Sequence, residues 1–228
     1  MKAMILAAGR GERMRPLTDT CPKPLLKVKD KPLIEYHIEA LVKAGIAEIV
    51  INHAWLGEQI VNHLGTGQRW NIKIQYSKEE QALETAGGIH QALPWLTENN
   101  KEFIVVNGDI FTDYKFVKII NHQLNKDILA HLILVNNPTH NPSGDFAIND
   151  NDQLYQNEQA EKFTFSGIAK YHIDFFSHLG TTIKPAPLAP MLISAMDDHH
   201  VSGEIYSGFW SDVGTVERLN EVNQFNSN

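Results

Sequence analysis

A single cysteine, Cys21, among 228 residues rules out an intrachain disulfide and a thiolate-rich zinc site. Small secreted chains lean on paired cysteines, so their absence argues against a secreted origin. No run approaches the roughly 20 apolar residues that span a bilayer. The apolar N-terminus, Met4-Ile5-Leu6-Ala7-Ala8, is too short for a signal peptide and reads as a first strand. A cytoplasmic chain with no membrane partner is the expectation. Positive charge is scarce overall: the net charge of −7 argues against a nucleic-acid partner. Neither repeats nor low-complexity linkers divide the chain. The 11 histidines show no metal-ligand spacing, and the 4 tryptophans make no aromatic platform, with Trp55 and Trp95 reading as core or helix-end packing.

What is present is unevenly placed. Between residues 10 and 31 lie seven bases (Arg10, Arg13, Arg15, Lys23, Lys27, Lys29, Lys31) against three acids, Glu12, Asp19 and Asp30. Such a segment in an acidic chain suits either a small polyanionic ligand or a solvated surface loop. Strand-like and helix-like runs alternate, as in a largely parallel sheet covered by helices within one α/β domain. Strands are expected at 4–7, 48–52, 72–76, 103–106 and 130–135. Helices are expected from about 33 (with Ile34, Ile38, Leu41 and Val42 on one face and Gly45 as its stop), over 56–64, after 85–88, over 116–124 and from about 216. Pro138, Pro142, Gly144 and the many Asn and Asp residues of 136–152 signal turns and the start of a smaller, irregular lobe. Short antiparallel strands, including 165–171, are expected inside that lobe.

The densest motif is Leu6-Ala7-Ala8-Gly9-Arg10-Gly11-Glu12-Arg13, running on to Pro22-Lys23-Pro24-Leu25. A strand empties into a loop where glycines let the backbone approach a phosphate and Arg13 can grip its oxygens. A Walker A loop would need Gly-Lys-Ser/Thr, and the dinucleotide fingerprint a third glycine at Met14; neither fits. Lys23 is held between two prolines. Asn107-Gly108-Asp109 closes a buried strand, where open α/β sheets bind ligands, and Asp212 follows Trp210 in a second apolar segment. Together the two aspartates could hold Mg²⁺, which takes oxygen ligands plus substrate phosphates; each alone could equally serve a cap or turn. In Leu83-Glu84-Thr85-Ala86-Gly87-Gly88, Thr85 is placed to cap a helix and the glycines to admit a flat base, or the segment is a structural turn.

Taken together, these motifs resemble the nucleotide-sugar pyrophosphorylases. The match runs through Gly-x-Gly-x-Arg-x-x-Pro-Leu-Thr and Pro-Lys-Pro-Leu at 9–25, Leu-x-Thr-Ala-Gly at 83–87, Asn107-Gly108-Asp109, and Gly208-x-Trp-x-Asp-Val-Gly-Thr215. Within the family the chain is most similar to the short members that act on N-acetylmuramate 1-phosphate with UTP. Gln81, where many relatives carry Glu, and Ala86, where Gly is frequent, depart from the pattern near the base site.

The resemblance implies a Rossmann-like, mostly parallel sheet flanked by helices. Residues 1–228 would form one nucleotidyltransferase domain: about 1–135 mainly for nucleotide, 136–215 mainly for sugar, and a helix from about 216. It implies a nucleoside triphosphate and a sugar 1-phosphate as partners and Mg²⁺ as cofactor, with Asp109 and Asp212 as metal ligands. Arg13, Lys23 and Asp109 would be catalytic. Leu6, Ala7, Ala8, Gly9, Gly11, Arg13, Lys23, Gln81, Thr85, Gly87, Gly88 and Asn107 would bind nucleotide, and Asp145, Ser166, Gly167 and Lys184 the sugar. Guanylyl transfer to mannose 1-phosphate, thymidylyl transfer to glucose 1-phosphate and a non-catalytic nucleotide-binding regulator are the rival readings. No oligomeric state is readable.

Overall fold

The computed structural model of the chain describes residues 1–225. Seven strands build one sheet: β1 (Lys2–Leu6), β2 (Glu48–His53), β3 (Lys73–Lys78), β4 (Glu102–Asn107), β5 (Ala130–Val135), β6 (Thr164–His172) and β7 (Val201–Tyr206). Their spatial order is β7-β5-β6-β4-β1-β2-β3. Strand β6 is antiparallel to both neighbours, β4 and β5; every other pairing is parallel. Six strands therefore point their carboxyl ends the same way, and β1 and β4, side by side at the centre, deliver Leu6 and Asn107 to one edge.

Successive strand residues face opposite sides, so the apolar runs feed two cores. Met4, Phe103, Val105 and Leu132 pack on one face with Ile89 of α3 (Glu84–Leu96) and Leu192 of α5 (Leu188–Asp197). Ala3, Ile5, Ile104 and Ile133 pack on the other with Ile38 of α1 (Leu33–Lys43), Ile60 of α2 (Gly57–Leu64) and Ile119 of α4 (Val117–Asn121). A third cluster ties Met14, in the basic loop, to Leu33, Val213 and to Leu219 and Val222 of α6 (Val216–Gln224). Helix α1 stops where Gly45 takes φ 94°, a conformation glycine adopts without strain. No helix among the described residues is long and apolar enough to cross a membrane.

Two expectations change. Residues 165–171 belong to β6 of the main sheet rather than to a separate lobe. Lys170 is buried there, with Nζ 2.8 Å from Glu102 and 2.6 Å from the His122 carbonyl. The same contact takes up a carbonyl just past α4, which ends at Asn121 instead of reaching 124. The irregular region does carry its own short ladder, Ala147–Ile148 against Leu154–Tyr155.

Candidate active site

A cleft of about 1120 Å³ opens at the carboxyl edge of β1, β2 and β4. Leu6, Ala7, Ala8, Gly9, Gly11, Arg13, Lys23, Gln81, Thr85, Asn107 and Asp109 all line it. The loop after β1 is pinned from below. The Gly11 carbonyl accepts from Thr18 Oγ1 at 2.8 Å, and Gly11 sits at φ 69°, where a Cβ would come within 3.2 Å of Lys23 Cβ. Lys23 opens a single helical turn (Lys23–Leu25) between its prolines. Its side chain is buried, with Nζ 2.6 Å from Asp109 Oδ2.

Asp109 and Asp212 are brought together by a short antiparallel ladder, Ile110–Thr112 against Trp210–Asp212, in which Asp212 pairs with Ile110. The Val213 N–H donates to the Asp109 carbonyl at 2.7 Å, locking the two segments. Asp212 Oδ1 lies 2.9 Å from Arg218 Nη1 and 2.8 Å from His140 Nε2. His37, in α1, is buried, which pushes it down to about 4 against a hydrogen bond to Ile110 and the charge of Asp109. It is therefore neutral at pH 7 and adds no positive charge near Asp109. Among the described residues no group of three or more His, Cys, Asp or Glu gathers to cage a metal. Two carboxylates nonetheless fit a hard cation that completes its shell with phosphate and water, as Mg²⁺ does.

The floor of the cleft contains a bracket that motif reading missed. Asn52, next to last in β2, accepts from the Ala7 N–H at 2.8 Å and donates to Glu79 Oε1 at 2.7 Å; Glu79 Oε2 accepts from the Leu83 N–H at 3.2 Å. Burial pushes the Glu79 carboxyl above the usual carboxylate range, an effect the bonds from Asn52 and Leu83 partly offset. A short apolar run ending in Asn, as Ile49-Val50-Ile51-Asn52 does, was the available signal, matching the run that ends in Asn107.

Several expected positions move. Thr85 lies inside α3, whose N-cap is Leu83 with no side-chain cap bond, because the helix starts one residue before Thr85. Gly87 and Gly88 are buried beneath the cleft instead of lining it. A Cβ on Gly87 would meet the Lys184 carbonyl at 2.6 Å, and one on Gly88 would meet Glu79 Oε1 at 2.6 Å, so these glycines admit protein groups. Trp55, expected in packing, lines the cleft.

A second cavity of about 720 Å³ shares Glu84, Thr85 and Asn107 with the first and includes Asp145, Phe146, Lys162, Phe165 and Leu188. Asp145 carries bonds from Asn141 Nδ2 at 3.1 Å and the Phe165 N–H at 2.8 Å. Ser166, Gly167 and Lys184 do not line it. Ser166 is buried and its carbonyl accepts from Trp210 Nε1 at 2.9 Å. Gly167 takes φ 80° at the register shift of β6, where a Cβ would strike the Asn107 side chain. The side chain of Lys184 is exposed.

The sequence profile of the nucleotidyl transferases matches residues 2–228. The chain belongs to the nucleotidyl transferase family. Within that family it is 51% identical, over 97% of its length and 96% of the relative's, to the N-acetylmuramate alpha-1-phosphate uridylyltransferase of Neisseria meningitidis serogroup B. It is 41% identical to the Danio rerio mannose-1-phosphate guanylyltransferase catalytic subunit beta, over 51% of this chain and 32% of that one. The fold is shared with a provisionally assigned glucose-1-phosphate thymidylyltransferase from Bacillus anthracis, solved with sucrose (TM-score 0.86, 21% identity, covering 100% of this chain and 97% of the other).

Proposed function

We propose that this nucleotidyl transferase moves the uridylyl group of UTP to N-acetylmuramate α-1-phosphate and releases pyrophosphate, a cytoplasmic step in peptidoglycan recycling. The observation that carries the substrate pair is the 51% identity to the Neisseria uridylyltransferase over 97% of this chain. Relatives named for mannose 1-phosphate align over about half of it.

In this reading the first cleft takes the triphosphate, served mainly by residues 1–135. Gly9 and Gly11 let backbone N–H groups approach the phosphates, Arg13 grips the outer ones, and Gln81 and Thr85 lie at the base end. The second cavity takes the sugar, with Asp145 as its lining acid from the 136–215 region. Asn107, common to both cavities, stands at the junction where the reacting groups meet.

The nucleophile is a sugar-phosphate oxygen, anionic at neutral pH, so no side chain has to remove a proton. Two polyanions must instead be held together while charge builds on the leaving pyrophosphate, a task for positioning and fixed charge. Lys23 supplies a nearly buried ammonium whose orientation Asp109 sets before substrate arrives. Arg218 and His140 orient Asp212 in the same way. Bound by Asp109 and Asp212, Mg²⁺ would neutralise phosphate charge and align the reacting oxygens.

Pyrophosphate release tests the substrate pair, with N-acetylmuramate 1-phosphate and Mg²⁺ held constant and UTP, GTP, dTTP and CTP compared. Release at least about tenfold faster with UTP is expected, the scale on which a few pocket contacts discriminate. Faster turnover of GTP with mannose 1-phosphate would move the assignment to guanylyl transfer. Nucleotide binding without turnover of any sugar phosphate would leave a regulator.

A further inference from the structure

Three of the cations near the cleft loop have a close carboxylate partner. Arg15 Nε lies 2.7 Å from Asp19, Lys23 Nζ 2.6 Å from Asp109, and Lys31 Nζ 2.6 Å from Glu39. Arg10 differs. It lines the nucleotide cleft, about half of its side chain is exposed, and its carboxylate contact, the largely exposed Glu12, is at 3.4 Å. The guanidinium lies instead over the Trp55 ring, 4.2 Å from the centroid.

The indole beneath it is fixed. Trp55 Nε1 donates to the Thr18 carbonyl at 3.0 Å, and the next turn of chain is tied down where Gln59 Nε2 donates to the Thr20 carbonyl at 3.0 Å. Thr18 in turn holds the Gly11 carbonyl. Trp55 is thus part of the frame of the phosphate-facing loop, whereas Arg10 only rests on it. Stacking on a partly buried ring, with no charged partner among the described residues closer than 3.4 Å, holds a guanidinium loosely. Phosphate oxygens would engage the same guanidinium through forked, charge-assisted bonds. The exchange needs only side-chain rotation, because Arg10 sits between Gly9 and Gly11 in the loop that lines the cleft.

We propose that Arg10 is a further triphosphate contact, parked on the Trp55 indole and handed to the phosphates as the nucleotide enters. Trp55 is then a positioning residue that keeps the guanidinium beside the entry path. The proposal rests on the nucleotide reading of this cleft and adds a contact that no motif announced.

The test is tryptophan emission titrated with UTP and Mg²⁺, with calorimetry on the same proteins. In the wild type, UTP changes the emission as the cation leaves the indole. Trp55→Phe removes that change while calorimetry still registers UTP. Arg10→Gln starts with the emission of an uncovered indole, changes little on titration, and binds UTP about tenfold more weakly, equivalent to about 1.4 kcal/mol. Arg10→Lys recovers part of the affinity. Arg10→Gln with wild-type UTP affinity, or an emission change that survives Trp55→Phe, would overturn the exchange and leave the nucleotide site standing. A wild-type protein that binds no nucleotide by calorimetry would overturn both.

Discussion

Lys23→Ala lowers turnover by about 10²-fold or more, the usual loss when one preorganised charge-stabilising group is removed. Asp109→Ala does the same. The two side chains meet at 2.6 Å, so each sets the other's position before substrate arrives. Removing either therefore disturbs both, and the double variant should lose far less than the product of the single losses. Lys23→Ala should not unfold the chain, because Asp109 retains about 39% of its side-chain exposure and can be solvated alone, whereas Asp109→Ala leaves the 10%-exposed Lys23 ammonium unpaired and should lower the midpoint more. Steady-state pyrophosphate release from the three variants, alongside thermal midpoints, separates these effects. A folded Lys23→Ala protein with near-wild-type turnover would remove Lys23 from the chemistry.

Asn52→Ala should be the most damaging single change to stability near the cleft. Asn52 is 3% exposed, and one amide serves both the Ala7 N–H and the Glu79 carboxylate. Alanine strands a buried donor and deprives a buried carboxylate of one of its two partners. Losses of this kind cost about 3 kcal/mol, most of it the desolvation of groups left unpaired. For a chain of this size that corresponds to a midpoint about 6–12 °C lower. Because Ala7 begins the phosphate-facing loop, the KM for UTP should rise as well. A midpoint and KM both unchanged would show that the bracket through Asn52 does not hold the cleft together.

The stretches most legible in the sequence were those whose residues are contiguous and whose chemistry is local. Gly9 to Leu25 carries glycines, bases and prolines in one run, and Gly9 to Arg13, Lys23 and Pro24 line the cleft. The bracket of Asn52 and Glu79 was not legible, because it exists only once β1, β2 and the start of α3 have been placed side by side. Strand β6 was misplaced for a related reason. Gly167 at its register shift breaks the period-2 pattern, and the charge of Lys170 suggests solvent until Glu102 and the His122 carbonyl surround it. Gly87 and Gly88 read as space for a base or as a structural turn, and the Lys184 carbonyl and the Glu79 carboxylate stand where their Cβ atoms would be. Composition can signal that a backbone is closely approached, but the approaching group is set by the tertiary structure.

The central claim is transfer at the α-phosphorus, and labelled UTP tests it most directly. With N-acetylmuramate 1-phosphate and Mg²⁺, label placed on the α-phosphate should appear in the nucleotide sugar, and label on the γ-phosphate should leave entirely as pyrophosphate. Label from the γ-phosphate on the sugar product, or its release as orthophosphate, would contradict the account.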